Sequence, residues 1–178
     1  MIYVFAAQGF EEIEALAVVD VLRRAELDVK LVGVEGKNIT GSHGITVVCD
    51  LTIEEATPEG LEVVVLPGGM PGTLNLEKNE LVQNYIDFAA ANDKWICAIC
   101  AAPSILGHKG LLDEKKATCY PGFDTQLGTA QYTAAQVEQD GKIITAKGAG
   151  AAIAFALKIV ENLLGKERAQ GLYGAMQC

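Results

Sequence analysis

Hydrophobic residues in this chain fall into short unbroken runs that alternate with longer stretches in which they recur every three or four positions. The runs Ile2 to Ala6, Asp28 to Val34, Leu61 to Leu66 and Lys94 to Ile99 read as strands buried on both faces. Glu11 to Ala25 and Leu81 to Ala91 read as helices. Alternation of this kind predicts an α/β fold, a mostly parallel sheet with helices on both faces. Between the second and third strands, Lys37 to Thr40 and Gly44 to Cys49 read as a small antiparallel hairpin turning at Gly41-Ser42-His43-Gly44, an ornament at the sheet edge. Beyond Cys100 the pattern predicts a short helix to about Leu106, a strand at Ala117 to Cys119, a strand pair at Ala135-Glu138 and Lys142-Thr145, and a long closing helix from Ala149 to Leu164. No linker, repeat or low-complexity tract interrupts residues 1–178, so one domain is expected.

Charge narrows the partners. A formal net charge of −9 repels nucleic-acid phosphates and anionic membrane surfaces, so neither is expected. No apolar run is long enough to span a bilayer, and Met1 to Phe5 lacks the flank of a secretory signal, which together predict a soluble, cytoplasmic chain. Five cysteines is an odd number in a chain that needs no staples, and free thiols follow. Cys97-x-x-Cys100 has the spacing of a redox motif, but Cys97 lies inside a strand-like run rather than at the start of a helix.

In an open parallel sheet, ligands bind at the carboxyl ends of the strands. Three turns at those ends stand out. Gln8-Gly9-Phe10-Glu11-Glu12-Ile13-Glu14 is too acidic for a phosphate loop, which argues against a bound flavin nucleotide. Glu11 and Glu12 suit the start of a helix through its dipole. Glu14 sits in an otherwise apolar helical stretch, and desolvation there would raise its pKa. Leu66-Pro67-Gly68-Gly69 ends a buried strand in paired glycines whose free amides suit an oxyanion or a thiolate. Ile99-Cys100-Ala101-Ala102-Pro103 places Cys100 at a strand end just before a helix, where amides and dipole favour a thiolate with a pKa below about 8.5.

These motifs, with Asp140-Gly141-Lys142-Ile143-Ile144-Thr145 and Phe155-Ala156-Leu157-Lys158-Ile159-Val160, run in order along almost the whole chain. The sequence thereby resembles the ThiJ/PfpI superfamily, and within it the DJ-one branch typified by the Parkinsonism-associated protein deglycase. The resemblance implies a flavodoxin-like three-layer sandwich, a homodimer, Cys100 at a strained nucleophile elbow, and a protonated Glu14 hydrogen-bonded to it. It further implies an oxyanion pocket at the Gly68-Gly69 turn and Ala101, and a cysteine prone to sulfinate formation. Two positions depart from the superfamily. Ala101 replaces the histidine that follows the nucleophile in the protease-like branch, and Tyr120 stands where the deglycase-like branch often has a histidine. Of the two histidines present, His108 reads as structural, while His43 in the hairpin turn is a candidate visitor to the active site of a dimer mate.

The functional expectation is an enzyme that needs no cofactor or metal, acting through Cys100 and Glu14 on small reactive carbonyls in the manner of a glyoxalase or deglycase. The alternative is a non-catalytic redox sensor working through oxidised Cys100.

Overall fold

The computed structural model describes residues 1–178. Its central sheet has seven strands. In chain order these are β1 (Ile2–Ala6), β2 (Val29–Gly33), β5 (Leu51–Thr52), β6 (Val63–Leu66), β7 (Trp95–Ile99), β10 (Val137–Asp140) and β11 (Ile143–Ala146). Their order across the sheet is β10-β11-β7-β6-β1-β2-β5, and only β10 runs antiparallel to its neighbour. Two small pairs lie outside it: the hairpin β3 (Asn38–Thr40) with β4 (Thr46–Val48), and the parallel pair β8 (Lys116–Ala117) with β9 (Gln131–Tyr132).

Side-chain alternation builds the layers. Ile2, Val4, Ala6, Val63, Val65, Cys97, Ile99, Ile144 and Ala146 point to one face. There they meet α1 (Glu12–Arg24), α5 (Ala152–Leu164) and α6 (Lys166–Ala175) through residues such as Val18, Leu22, Phe155 and Leu172. Tyr3, Phe5, Val64, Leu66, Ile96 and Ala98 point the other way. They pack on α2 (Gly72–Lys78), α3 (Glu80–Ala91) and α4 (Pro103–His108) through Leu76, Val82, Ile86 and Ile105. Each Val, Leu, Ile or Phe among these contributes roughly 1.5–3 kcal/mol by leaving water. The result is the expected three-layer, flavodoxin-like sandwich.

Several elements differ from the pattern-based expectation. The closing helix starts at Ala152 after a 3₁₀ turn and ends at Leu164, and Gly165, at φ +92°, starts the unforeseen α6. Helix α2 was also unforeseen. The strand expected at Ala117 to Cys119 is two residues, Lys116–Ala117. Strand β10 begins at Val137 rather than Ala135, because the turn is the two-residue Gly141-Lys142 that pairs Asp140 with Ile143.

The sheet order positions the site. Strands β1, β6, β7 and β11 are successive neighbours, and all run in the same direction. Their carboxyl ends therefore deliver the three singled-out turns to one edge.

Candidate active site

Cys100 follows β7 directly and has φ +65°, the left-handed region that costs a residue with a Cβ about 1 kcal/mol or more. Two bonds hold it there. Its N–H donates to Ala146 O at the end of β11 (2.9 Å), and its carbonyl accepts from Tyr120 N (2.8 Å). The sharp turn lifts the side chain out of the sheet, as at a nucleophile elbow. Helix α4 begins only at Pro103 and is six residues long, with Ala102 as its N-cap. Cys100 is therefore not at a helix N-terminus, and the expected dipole contribution falls away.

Glu14 reaches the same point from α1. It is 1 % exposed, and its Oε2 accepts a hydrogen bond from Gly68 N (2.8 Å). Its Oε1 is buried without a partner, so this is the oxygen with room for a proton. Burial pushes the Glu14 carboxyl up to about 7, against the opposing pull of its hydrogen bonds with Cys100 and Gly68. Gly68 is glycine for a steric reason. A Cβ on it would fall 2.6 Å from Cys100 Cβ, 2.7 Å from Glu14 Oε2 and 3.1 Å from Cys100 Sγ.

The thiol departs from expectation. Burial, then the charge on Glu14 and the hydrogen bond to it, push Cys100 up to about 12, while the amides of Ala101 and Gly69 pull the other way without winning. The sequence-based expectation counted the amides and the dipole and left out the burial of the thiol, and it took Glu14 as protonated rather than charged. With Glu14 ionised, the pair is a thiol beside a carboxylate, and moving that one proton gives a thiolate beside a carboxylic acid. A carboxyl near 7 next to a thiol is the arrangement a general base needs at neutral pH. Cys97 lies wholly inside the core and burial drives its thiol far up, so it is no redox partner for Cys100.

The backbone around the pair is tightly interlocked. Glu11 N donates to Gly68 O (2.9 Å) and Glu11 Oε2 caps Glu14 N (2.8 Å). Gly69, at φ +90°, lies so close to the loop after β1 that a Cβ would strike the Glu11 nitrogen and sit 2.6 Å from Phe10 C. Its own carbonyl is fixed by Thr73, through N–H (2.9 Å) and Oγ1 (3.0 Å).

Glu12 lies in the first turn of α1, as expected of a dipole partner, and has a second role that the sequence did not show. It is 4 % exposed and holds the turn between β3 and β4. Burial works to raise its pKa, but the bonds from His43 and Ile45 outweigh it and leave it lowered. Within the chain His43 points its Nδ1 at Glu12 Oε2 (2.9 Å), with Glu11 Oε1 at 3.9 Å. Glu11, Glu12 and His43 bring possible ligand atoms within 4.8 Å of one another, yet both Glu12 oxygens already take N–H donors, which suits a latch better than a metal centre. His108 bonds Glu77 on α2 (2.5 Å), apart from the Cys100 pair, and Tyr120 is half-exposed, serving Cys100 through its amide.

A model of the DJ-1/PfpI family matches residues 1–162. The chain belongs to the DJ-1/PfpI family. Among family members, it is 36 % identical to Drosophila melanogaster protein dj-1beta over 94 % of this chain and 91 % of that one. It is 31 % identical to the Caenorhabditis elegans protein named glutathione-independent glyoxalase DJR-1.2, over 91 % and 87 %. Arabidopsis thaliana protein DJ-1 homolog B is 38 % identical over 96 % of this chain, and the chain spans 40 % of that relative's length. Oxidized Toxoplasma gondii DJ-1 superposes with a TM-score of 0.95 at 34 % identity, covering 99 % and 97 % of the two chains. No helix of the chain is long and apolar enough to cross a membrane.

Proposed function

We propose that this DJ-1/PfpI protein is a cysteine-dependent enzyme acting on small reactive carbonyls. The observation that carries the reading is the buried placement of the Glu14 carboxyl and the Cys100 thiol side by side against Gly68, with the amides of Gly69 and Ala101 favouring negative charge on the sulfur. The name of the nematode relative lends it support.

In the proposed chemistry the Cys100 proton passes to the ionised Glu14 as the sulfur bonds to the aldehyde carbon. The carbonyl π pair moves to oxygen, where the Gly69 and Ala101 amides meet the developing charge. Glu14 then returns the proton to that oxygen and gives a hemithioacetal. Ionised again, it can take a proton from the adjacent carbon. The C–H electron pair forms an enediolate with the neighbouring carbonyl, Glu14 returns its proton to that carbonyl carbon, and water cleaves the resulting thioester, which releases the hydroxy acid and restores the Cys100 thiol and the ionised Glu14. Ala101 in place of a histidine removes an imidazole beside the nucleophile, which disfavours peptide hydrolysis.

Incubating the purified protein with methylglyoxal and following hydroxy-acid product tests this reading. Turnover that falls at least about 100-fold in Cys100→Ser supports it. Turnover retained by that variant, or none from wild type at high protein concentration, overturns it. In the latter case oxidation sensing at Cys100 is the reading left, supported by the oxidized state of the Toxoplasma structure. That reading requires mild peroxide to form a sulfinate at Cys100 before the other four cysteines react, as read by peptide mass spectrometry.

A further inference from the structure

The turn between β3 and β4 is wrapped around the Glu12 carboxylate. Oε1 accepts from His43 N (2.8 Å) and Ile45 N (3.4 Å), while Oε2 meets His43 Nδ1 (2.9 Å) and Ser42 Oγ (3.4 Å). Gly41 completes the cradle, since a Cβ there would overlap the carboxylate itself. These partners are about thirty residues away in sequence, so the contact is tertiary. A hairpin whose only task was to close a sheet edge would not need a buried acid at its turn.

The same hairpin grips the loop on the other side of Glu12. Gly9 N donates to Thr40 O (2.8 Å) and Ser42 N to Phe10 O (2.8 Å). Residues 9–14 are thus held between the hairpin and the Gly68-Gly69 turn, to which Glu11 N and Glu14 Oε2 are bonded. Glu14 lies two residues beyond Glu12 in the first turn of α1.

We propose that Glu12 is a positioning residue: its buried carboxylate clasps the 41–45 turn to the start of α1 and thereby holds Glu14 and the Gly68-Gly69 turn in place against Cys100. The inference rests on the reading of Glu14 and Cys100 as the reacting pair. The charged and titratable groups facing Glu14 are Cys100 from the end of β7 and Glu11 from its own helix, and those facing Glu12 are His43 and, through His43, Glu11. When the clasp opens, water reaches Glu14, and the desolvation that dominates its shift diminishes.

The test is the pH profile of Cys100 alkylation by iodoacetamide, resolved by peptide mass spectrometry, in wild type, Glu12→Ala, His43→Ala and Glu14→Gln. His43 is exposed, so its truncation leaves the core intact and serves if Glu12→Ala folds poorly. Displacement of a reacting group by a fraction of an ångström predicts a fall of roughly tenfold in the Cys100 rate at neutral pH in Glu12→Ala. The inflection near 7 should move to more acid pH in the same variant, with a smaller move in the same direction in His43→Ala. An inflection unmoved in both, while Glu14→Gln abolishes it, overturns the positioning role and leaves the reacting pair standing. An inflection that persists in Glu14→Gln overturns the pair and the positioning role together.

Discussion

Glu14 carries a local cost in stability. A carboxyl held at about 7 in the folded chain ionises near 4.5 when the chain unfolds. Below 4.5 both states bind the proton and the group is neutral toward folding. Between 4.5 and 7 the unfolded state releases it while the folded state keeps it, so stability falls as pH rises, and the loss is complete above 7. At about 1.4 kcal/mol per pH unit this amounts to roughly 3 kcal/mol. Glu14→Gln removes the ionisation while keeping shape and the Gly68 contact. Its urea-unfolding free energy should therefore gain roughly 3 kcal/mol on wild type between about pH 4 and about pH 8. Parallel pH dependences would show that Glu14 titrates as an ordinary surface glutamate. The stabilised variant should be the inactive one, as expected where a strained site serves function. Glu14 was legible because its neighbours Ile13, Ala15, Leu16 and Ala17 surround a carboxylate with apolar positions. Glu12 was not, because its burial comes from a turn thirty residues away. The direction of the Cys100 shift was misread for the same reason, since the burial that dominates it is a product of tertiary packing, with the Glu14 charge second.

At the scale of elements, buried strands and the apolar faces of α1, α3 and α5 were readable from their periodicity. Helices α2 and α6 were not. Helix α2 starts on Gly72 directly after Pro71, a pair that reads as a turn, and α6 carries Gly171 and Gly174 with only Ala169 and Leu172 buried. What separates α5 from α6 is Gly165, at φ +92° and ψ 162° with no atom within 4 Å of where its Cβ would stand. Only glycine occupies that backbone region comfortably. Gly165→Ala should therefore cost on the order of 1–3 kcal/mol in thermal or denaturant unfolding through the backbone alone. Cys100 reactivity should not change, because the junction lies away from the Cys100 turn. An unaltered stability would mean that the two helices can merge or re-angle without strain. The hairpin shows the limit of reading elements singly. Its existence was evident from Gly41 and Gly44, but its service to the start of α1 appears only once tertiary contacts are known.

Across the whole molecule, sheet order is what turns three separate turns into one site. Strand β1 lies beside β6, β6 beside β7 and β7 beside β11. Glu14, Gly68, Gly69, Cys100 and Ala101 come together because those parallel strands end on one edge, and Ala146 and Tyr120 then fix the elbow from its far side. The family resemblance captured this convergence, while composition and charge served only to exclude partners. The central claim is that Cys100 reacts through a proton held jointly with Glu14, and the alkylation rate of Cys100 across pH in wild type and Glu14→Gln measures it most directly. The expected wild-type profile rises through an inflection at about 7, the pH at which burial places the Glu14 carboxyl. In Glu14→Gln that inflection should vanish and the rate should climb only with the thiol's own ionisation. Superimposable profiles, or a wild-type profile with no inflection near 7, would contradict the account.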